Sequence, residues 1–366
     1  MRVLFFFSVM CIVFSSCKRK IQGDLLEIPV DISQDISLHL SKISEEVLAI
    51  ELELTDESLV HPDRGRTARI FLSENYVIVV QTRNIFVFNH EGKFIRTIGA
   101  RGQGPGEYTF ILSAALDKKN NRLFVGTDSK IIYYDLNGNL ISESEIPTGW
   151  HISDMNYIDG ELLLAVEQIK SDEKGHFKHS AIYWMDDNLQ VTESFTIRKD
   201  YFERPGTFTN FFRDFILHRN SIVYLYYSDL YFQHMQNPAV VVLRDTLYRV
   251  ENNQLVPELR LRFRNDGVDA GGTKFIELFN IYRSSRFVFA VYSDNRSGTF
   301  FHFVFDTKTG IGYNMQDGFT VDGIASRVSI RPLNTNPEMF YFWYTHMEYD
   351  DMEEPNPTLY IRRLKK

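Results

Sequence analysis

From residue 47 onward the chain alternates short apolar runs with polar turns, and one composite unit keeps returning. It appears at Val87–Ile98, Tyr133–Ile141, Tyr183–Val191, Tyr248–Val256 and Phe303–Ile311. Each unit is an aromatic or β-branched run, an Asp/Asn/Gly turn and a second run, the pattern of an antiparallel hairpin. The units begin 46, 50, 65 and 55 residues apart. A hairpin recurring at that spacing predicts a radial array of small sheets, because one such sheet cannot bury both of its faces alone.

Grouping the predicted strands gives six stretches: 68–98, 113–146, 152–197, 211–263, 275–315 and 323–364. The last holds only three strands, Gly323–Ser329, Met339–Tyr344 and Thr358–Leu364. Far upstream, Val47–Leu54 reads as a strand with no partner of its own. An N-terminal strand that completes the last sheet closes a ring and leaves no terminal edge exposed. The expected architecture is therefore all-β, a six-bladed β-propeller over residues 47–366 closed by that strand. Two packed β-domains are the alternative, but they explain neither the repeat nor the short last sheet.

The first residues have a different logic. Arg2 precedes an apolar run from Val3 to Phe14, and Phe14-Ser-Ser-Cys17 ends it with small residues before a cysteine. Twelve residues are too short to cross a bilayer core as a helix, which takes roughly 20. Residues 1–16 thus read as a signal segment, with Cys17 the expected site of lipidation, and residues 17–46 as a tether carrying a short helix near Ser37–Glu46. An ordinary signal peptide with a chance cysteine is the alternative. The second cysteine, Cys11, lies inside the segment to be removed, so no thiol remains for a disulfide, a metal or catalysis.

Charge excludes one class of partner. The chain carries a formal charge of −8, and its only run of three consecutive basic residues is Lys18-Arg19-Lys20, beside the lipid site. Nucleic-acid binding needs basic patches to neutralise phosphate, so it is not expected. The 30 Phe, 19 Tyr and 3 Trp suit half-buried sheet faces.

Ile95–Tyr108 contains Ile98-Gly-Ala-Arg-Gly102-Gln-Gly104-Pro105-Gly106-Glu107-Tyr108. This segment resembles the Ile-Gly-x-x-Gly-x-Gly-Pro-Gly-Glu-Tyr/Phe stretch of the six-bladed β-propeller lipoproteins of Bacteroidetes, relatives of the NHL-repeat propellers. The resemblance extends over nearly the whole chain after Cys17, through Val47–Leu54, the Phe88–Phe94 turn and Asp245–Val250. It implies a cell-envelope lipoprotein, held by lipid alone. Surface-exported members often carry acidic residues after the cysteine; Lys18-Arg19-Lys20 departs from that and favours the periplasmic face of the outer membrane. Physically, Gly102, Gly104 and Gly106 admit positive φ and Pro105 fixes its own, as a sharp return between blades requires. A phosphate-cradling loop would end in Gly-Lys-Ser/Thr and open a helix, and neither follows.

Propellers place ligands in or above the central channel. Polar residues on the predicted inner strands are Arg69, Asp154, Asn156, Arg213, Asp214, Glu277, Asn280 and Arg327. Three readings stay open: an internal ion-pair lining, a site for a polar small molecule or glycan, and a calcium cage built on Asp154, Asp214, Glu277 and Asn280. The last would support a lactonase-like hydrolase or lyase, although the arginines compete with a cation. Trp150 and His151 are candidate rim residues, and Tyr226–His234 is an aromatic cluster. His176 and His179 fall in a polar hairpin loop, and Glu348–Glu354 in an acidic one. No nucleophile elbow or His-Glu-x-x-His occurs. The expected function is binding a protein or glycan of the envelope, as a monomer, without catalysis or a cofactor.

Overall fold

The computed structural model describes residues 25–61, 69–202, 216–227, 244–263, 267–268, 275–333, 336–345 and 355–366. Six four-stranded units form the blades of a β-propeller. From the innermost strand outward, blade one is Arg69–Leu72, Val77–Val80, Ile85–Phe88 and Phe94–Thr97. Blade two is Ile111–Asp117, Arg122–Thr127, Lys130–Asp135 and Leu140–Glu145. Blade three is His151–Ile158, Glu161–Asp172, Gly175–Met185 and Val191–Phe202. Blade four is Ile216–Arg219, Ile222–Leu225, Thr246–Glu251 and Gln254–Phe263. Blade five is Ile276–Arg283, Phe287–Asp294, Thr299–Asp306 and Ile311–Gln316. Blade six is Arg331–Leu333, Asn336–Tyr344 and Thr358–Leu364, completed by Ser44–Glu51.

The two-residue period of a strand explains how the blades stack. In blade one, Ile78, Val80, Ile85 and Val87 point toward blade two, where they meet Leu116, Leu123, Val125 and Ile132. Their neighbours Val77, Val79, Phe86 and Phe88 point the other way, onto Tyr341, Leu359 and Ile361 of blade six. In blade one the middle strands Val77–Val80 and Ile85–Phe88 are thus apolar and buried at every position, while the outer strand Phe94–Thr97 alternates half-buried with exposed. Each sheet is unstable alone and each interface is a core.

Ser44–Glu51 runs antiparallel to Thr358–Leu364, with Ala49 opposite Tyr360, so the N-terminal strand closes the ring as expected. It begins and ends about three residues earlier than its hydrophobic pattern suggests, because Glu53 leaves the ladder for blade one. Its N–H donates to the Gly92 carbonyl (2.9 Å), and its carboxylate accepts from the Phe94 N–H (2.8 Å). Gly92 sits at φ +84°, where a Cβ would fall 1.9 Å from the Glu51 carbonyl oxygen. Only glycine allows that approach.

Two expectations need correction. The stretch 17–46 was read as a tether, yet its described part is packed against the propeller. Leu26–Val30 adds a fifth, parallel strand to the outer edge of blade four, with Ile28 opposite Leu261, and buries Ile28 and Val30. The chain then crosses blade five, where Ile36 N–H donates to the Asn314 carbonyl (2.8 Å), and reaches blade six through the 3-10 turn Leu40–Lys42. The strand forms because alternating Leu26, Ile28 and Val30 can cover an edge, while the short helix expected near Ser37–Glu46 is replaced by the 3-10 turn and the start of the closing strand Ser44–Glu51. The second correction concerns Gly323–Ser329. Ile324–Val328 instead folds back on Phe319–Val321 as a separate hairpin, turned at Asp322-Gly323 with Gly323 at φ +74°. Asp-Gly is a strong hairpin turn. The true inner strand is the short Arg331–Leu333, whose Pro332 is tolerated because an innermost strand has a free edge.

Candidate functional site

At the propeller's centre the first four inner strands meet on one carboxylate. Asp154 is fully buried, at 0 % exposure. Its Oδ1 accepts from Arg69 Nη1 of blade one (2.6 Å), Ser113 Oγ of blade two (3.3 Å) and its neighbour Met155 N–H (2.8 Å). Its Oδ2 accepts from the Ile216 N–H of blade four (2.8 Å). One backbone device makes this reach: the register slips between Ile152 and Asp154, so a bulge turns Asp154 toward its neighbours. A carboxylate engaged on both oxygens by an arginine and two backbone N–H groups is poorly placed to ligate a cation.

The other expected channel residues divide. Asn156 is buried beside Asp154; its amide donates to the Ile216 carbonyl (3.3 Å) and accepts from Tyr157 N–H (2.9 Å). Glu277 and Asn280 lie on the inner strand of blade five. Arg327 is not in the channel: it sits in the extra hairpin, bonded to Asp35 of the strap (3.0 Å) and to the Gln316 carbonyl. Arg213 and Asp214 lie outside the described residues, as do Cys17 and the acidic stretch Glu348–Glu354. Among the described residues, no three His, Cys, Asp or Glu side chains group closely enough to hold a metal ion. Nor is any helix there long and apolar enough to cross a membrane.

The rim candidates are built into packing. Trp150 lies on Tyr183 with ring centroids 4.2 Å apart, while His151 is exposed opposite Glu167 in register. Tyr226 and Tyr227 are buried, and Tyr226 Oη lies 2.9 Å from the Arg244 carbonyl and 3.0 Å from that of Leu278. The Gly-Pro-Gly-Glu-Tyr loop is a knot between blades one and two. Gly104 N–H donates to Glu107 (2.8 Å), and Gly106 N–H, with Gly106 at φ +66°, donates to Glu143 (2.9 Å). Lys130 bonds both Glu143 and the Gly104 carbonyl (2.8 Å each), and this bond holds the Glu143 carboxyl below its usual range. Tyr108 donates to the Ile98 carbonyl at 2.8 Å.

Two features were not visible in the sequence. The first is a buried polar network between blades three and four. The Glu167 carboxylate accepts from Lys178 and from Tyr227, whose hydroxyl also meets Ser180. Arg198 stacks on the Tyr227 ring at 4.4 Å and pairs with Asp200. Lys178 is 1 % exposed; burial lowers its pKa, against the pull of Glu167, and raises those of Tyr227 and Asp200. This network exists because the strands of blade three run on past those of the other blades. His176 and His179, expected in a loop, are on that strand extension and bond to Ser171 and Thr196.

The second is an open cleft of about 550 Å³, where the inner strands of blades two, three and four emerge from the propeller. Leu116–Asn120, Asn156, Tyr157, Asp159, Gly160 and His218 line it. Burial raises the Asp117 carboxyl, but hydrogen bonds from Asn120 and Arg122 outweigh it and hold the group below its usual range. Tyr157 lies flat on Phe124 (centroids 5.2 Å), and burial lifts its hydroxyl to about 12. Burial lowers the pKa of His218, against the pull of Asp159. In sequence the turns Asp117–Arg122 and Ile158–Glu161 are ordinary polar hairpin turns; only the ring of blades sets them side by side.

A β-propeller of this length with a strand from each chain end in its last blade narrows the comparison. The chain belongs to the family described as domain of unknown function DUF4934, whose model matches residues 25–366. No curated protein matches it. Among solved structures, it is similar to a Bacteroides fragilis protein predicted to be exported, with 18% identity and a TM-score of 0.65 over 93% of this chain and 100% of that one. It also matches the Pan2 WD40 domain of Neurospora crassa at 11% identity and a TM-score of 0.43, over 90% and 98% of the two chains. A protein of unknown function from Bacteroides caccae matches at 10% identity and a TM-score of 0.29, over 69% of this chain and 94% of that one. The Bacteroides fragilis match speaks to fold alone, and the other two carry no argument.

Proposed function

We propose that this member of the family is a lipid-anchored binding propeller of the bacterial envelope that recognises a protein or glycan partner without catalysing a reaction. The observation that carries the reading is the pairing of a centre filled by the protein's own ion pair with an open polar cleft at one end of the inner strands. A propeller with its axis occupied offers its ends and loops for recognition. Export is supported by the Arg2–Cys17 segment and by similarity to the Bacteroides fragilis protein predicted to be exported. Lipid on Cys17, with Lys18-Arg19-Lys20 among headgroups, holds the protein to the periplasmic face of the outer membrane. Leu26 follows Cys17 by nine residues. Nine residues span at most about 30 Å, so the outer edge of blade four stays near the bilayer.

In-cell cross-linking followed by affinity capture tests this, with Cys17→Ser as comparator. A stoichiometric envelope partner, lost or reduced when the variant leaves the membrane, supports the reading. Recovery of the protein alone, or an unchanged membrane fraction for Cys17→Ser, overturns the platform or the anchor respectively.

A further inference from the structure

The cleft between blades two, three and four has a chemistry of its own, and the inference below rests on the binding reading just given. Its floor is used by the fold: Asp117 serves Asn120 and Arg122, and the Tyr157 hydroxyl lies 3.1 Å from Asp187 and 3.2 Å from Arg122. Its mouth is not. Lys118 and Lys119 are exposed at the turn and have no hydrogen-bond or ion-pair partner among the described residues. Asp159, exposed across from them, has none either. His218 lines the cleft with them, and its Nδ1, itself closed off from solvent, has no hydrogen-bond partner among the described residues. A buried ring nitrogen without a partner is costly unless a ligand or water satisfies it.

These unclaimed groups specify a ligand. Arg122 is shared between Asp117 and Asp187, so the floor keeps one negative charge and the cleft as a whole is neutral; at its mouth, however, two ammonium groups stand beside one carboxylate, and a bound carboxylate finds its partners there. Asp159 repels a bare anion but accepts from a hydroxyl, and the imidazole exchanges a hydrogen bond with another. A volume of about 550 Å³ falls within the range of small-molecule sites. We infer that the cleft binds a small sugar acid, its carboxylate held by Lys118 and Lys119 and its hydroxyls by Asp159, His218 and Asn156.

Titration calorimetry on the full chain in detergent tests this, with D-glucuronate, D-galacturonate, D-glucose and inorganic phosphate as probes. A uronate is expected to bind saturably, glucose and phosphate at least about tenfold more weakly, since each lacks one half of the recognition chemistry. Lys118→Ser/Lys119→Ser, at exposed turn positions, is expected to weaken the uronate about tenfold, and Asp159→Asn to narrow its preference over phosphate. No saturable binding of either uronate, or equal binding by the lysine double variant with an unchanged circular dichroism spectrum, overturns the inference. Should uronate binding fail while the protein still captures an envelope partner in cells, the platform stands and only the sugar-acid site falls.

Discussion

Asp154 and Arg69 show what a single pair does in a ring. Four blades reach one carboxylate, so removing it takes that acceptor from a buried guanidinium and from two backbone N–H groups at once. Asp154→Ala is expected to cost about 3–5 kcal/mol, and Asp154→Ala with Arg69→Met to recover a good part of it, because a buried charge that has lost its carboxylate costs more than an absent pair. Urea unfolding midpoints decide; a neutral Asp154→Ala would remove the pair from the account of stability. Asp306 offers a pH test. Arg286 grips it through Nε (2.9 Å) and Nη2 (2.7 Å), holding its pKa at about 2 against an ordinary 3.8. A depressed folded-state pKa contributes stability above the unfolded value, here about 2 kcal/mol, lost as pH falls from 3.8 through about 2. Asp306→Asn should therefore lower stability at neutral pH by about that amount and flatten its fall in this window. An unchanged acid limb would refute the assignment.

Among the elements, the strap Leu26–Val30 is the least expected. It is a strand because it borrows an edge: Ile28 and Val30 face the core of blades four and five, while Glu27 turns outward to Arg262 at 2.7 Å. Pro29 lacks a donor and is tolerated on an outer strand. Ile28→Ala should then destabilise the protein by about 2–4 kcal/mol, whereas Pro29→Ala stays within about 0.5. Equal effects in equilibrium denaturation would mean that the strap is not docked in solution. The extra hairpin teaches the same lesson from the other side. Ile324–Val328 has a good strand pattern and a good turn, yet the inner place in blade six goes to Arg331–Leu333, which reads weakly alone.

Over the whole molecule, closure is the cooperative event. Ser44–Glu51 joins the last blade to the first, so the ring's stability depends on residues more than 300 positions apart in the chain. A chain starting at residue 25 keeps this strand and is expected to unfold in one transition. One starting at Glu53 lacks it, exposes the edge of Thr358–Leu364, and is expected to lose cooperative unfolding by calorimetry. A single sharp transition for the shorter chain would show that the blades hold without the closing strand.

What the sequence by itself determined was the repeat, the blade count and the closing strand, since these follow from local alternation and turn residues acting over a few positions. Val77–Val80 must be buried on both faces, and Asp135–Asn139 must turn, whatever surrounds them. Placement across blades was decided only by the tertiary structure. Asp154 was legible as a polar inner residue, but a bulge one residue away sets which neighbours it meets. Lys178 stands between His176 and His179 in a stretch that reads as a polar hairpin loop, yet the long strands of blade three bury it against Tyr227. The cleft is assembled from Lys118, Asp159 and His218, which lie about 40 to 100 residues apart. Nothing in their local pattern marks them, because the physics that joins them is the packing of one sheet on the next.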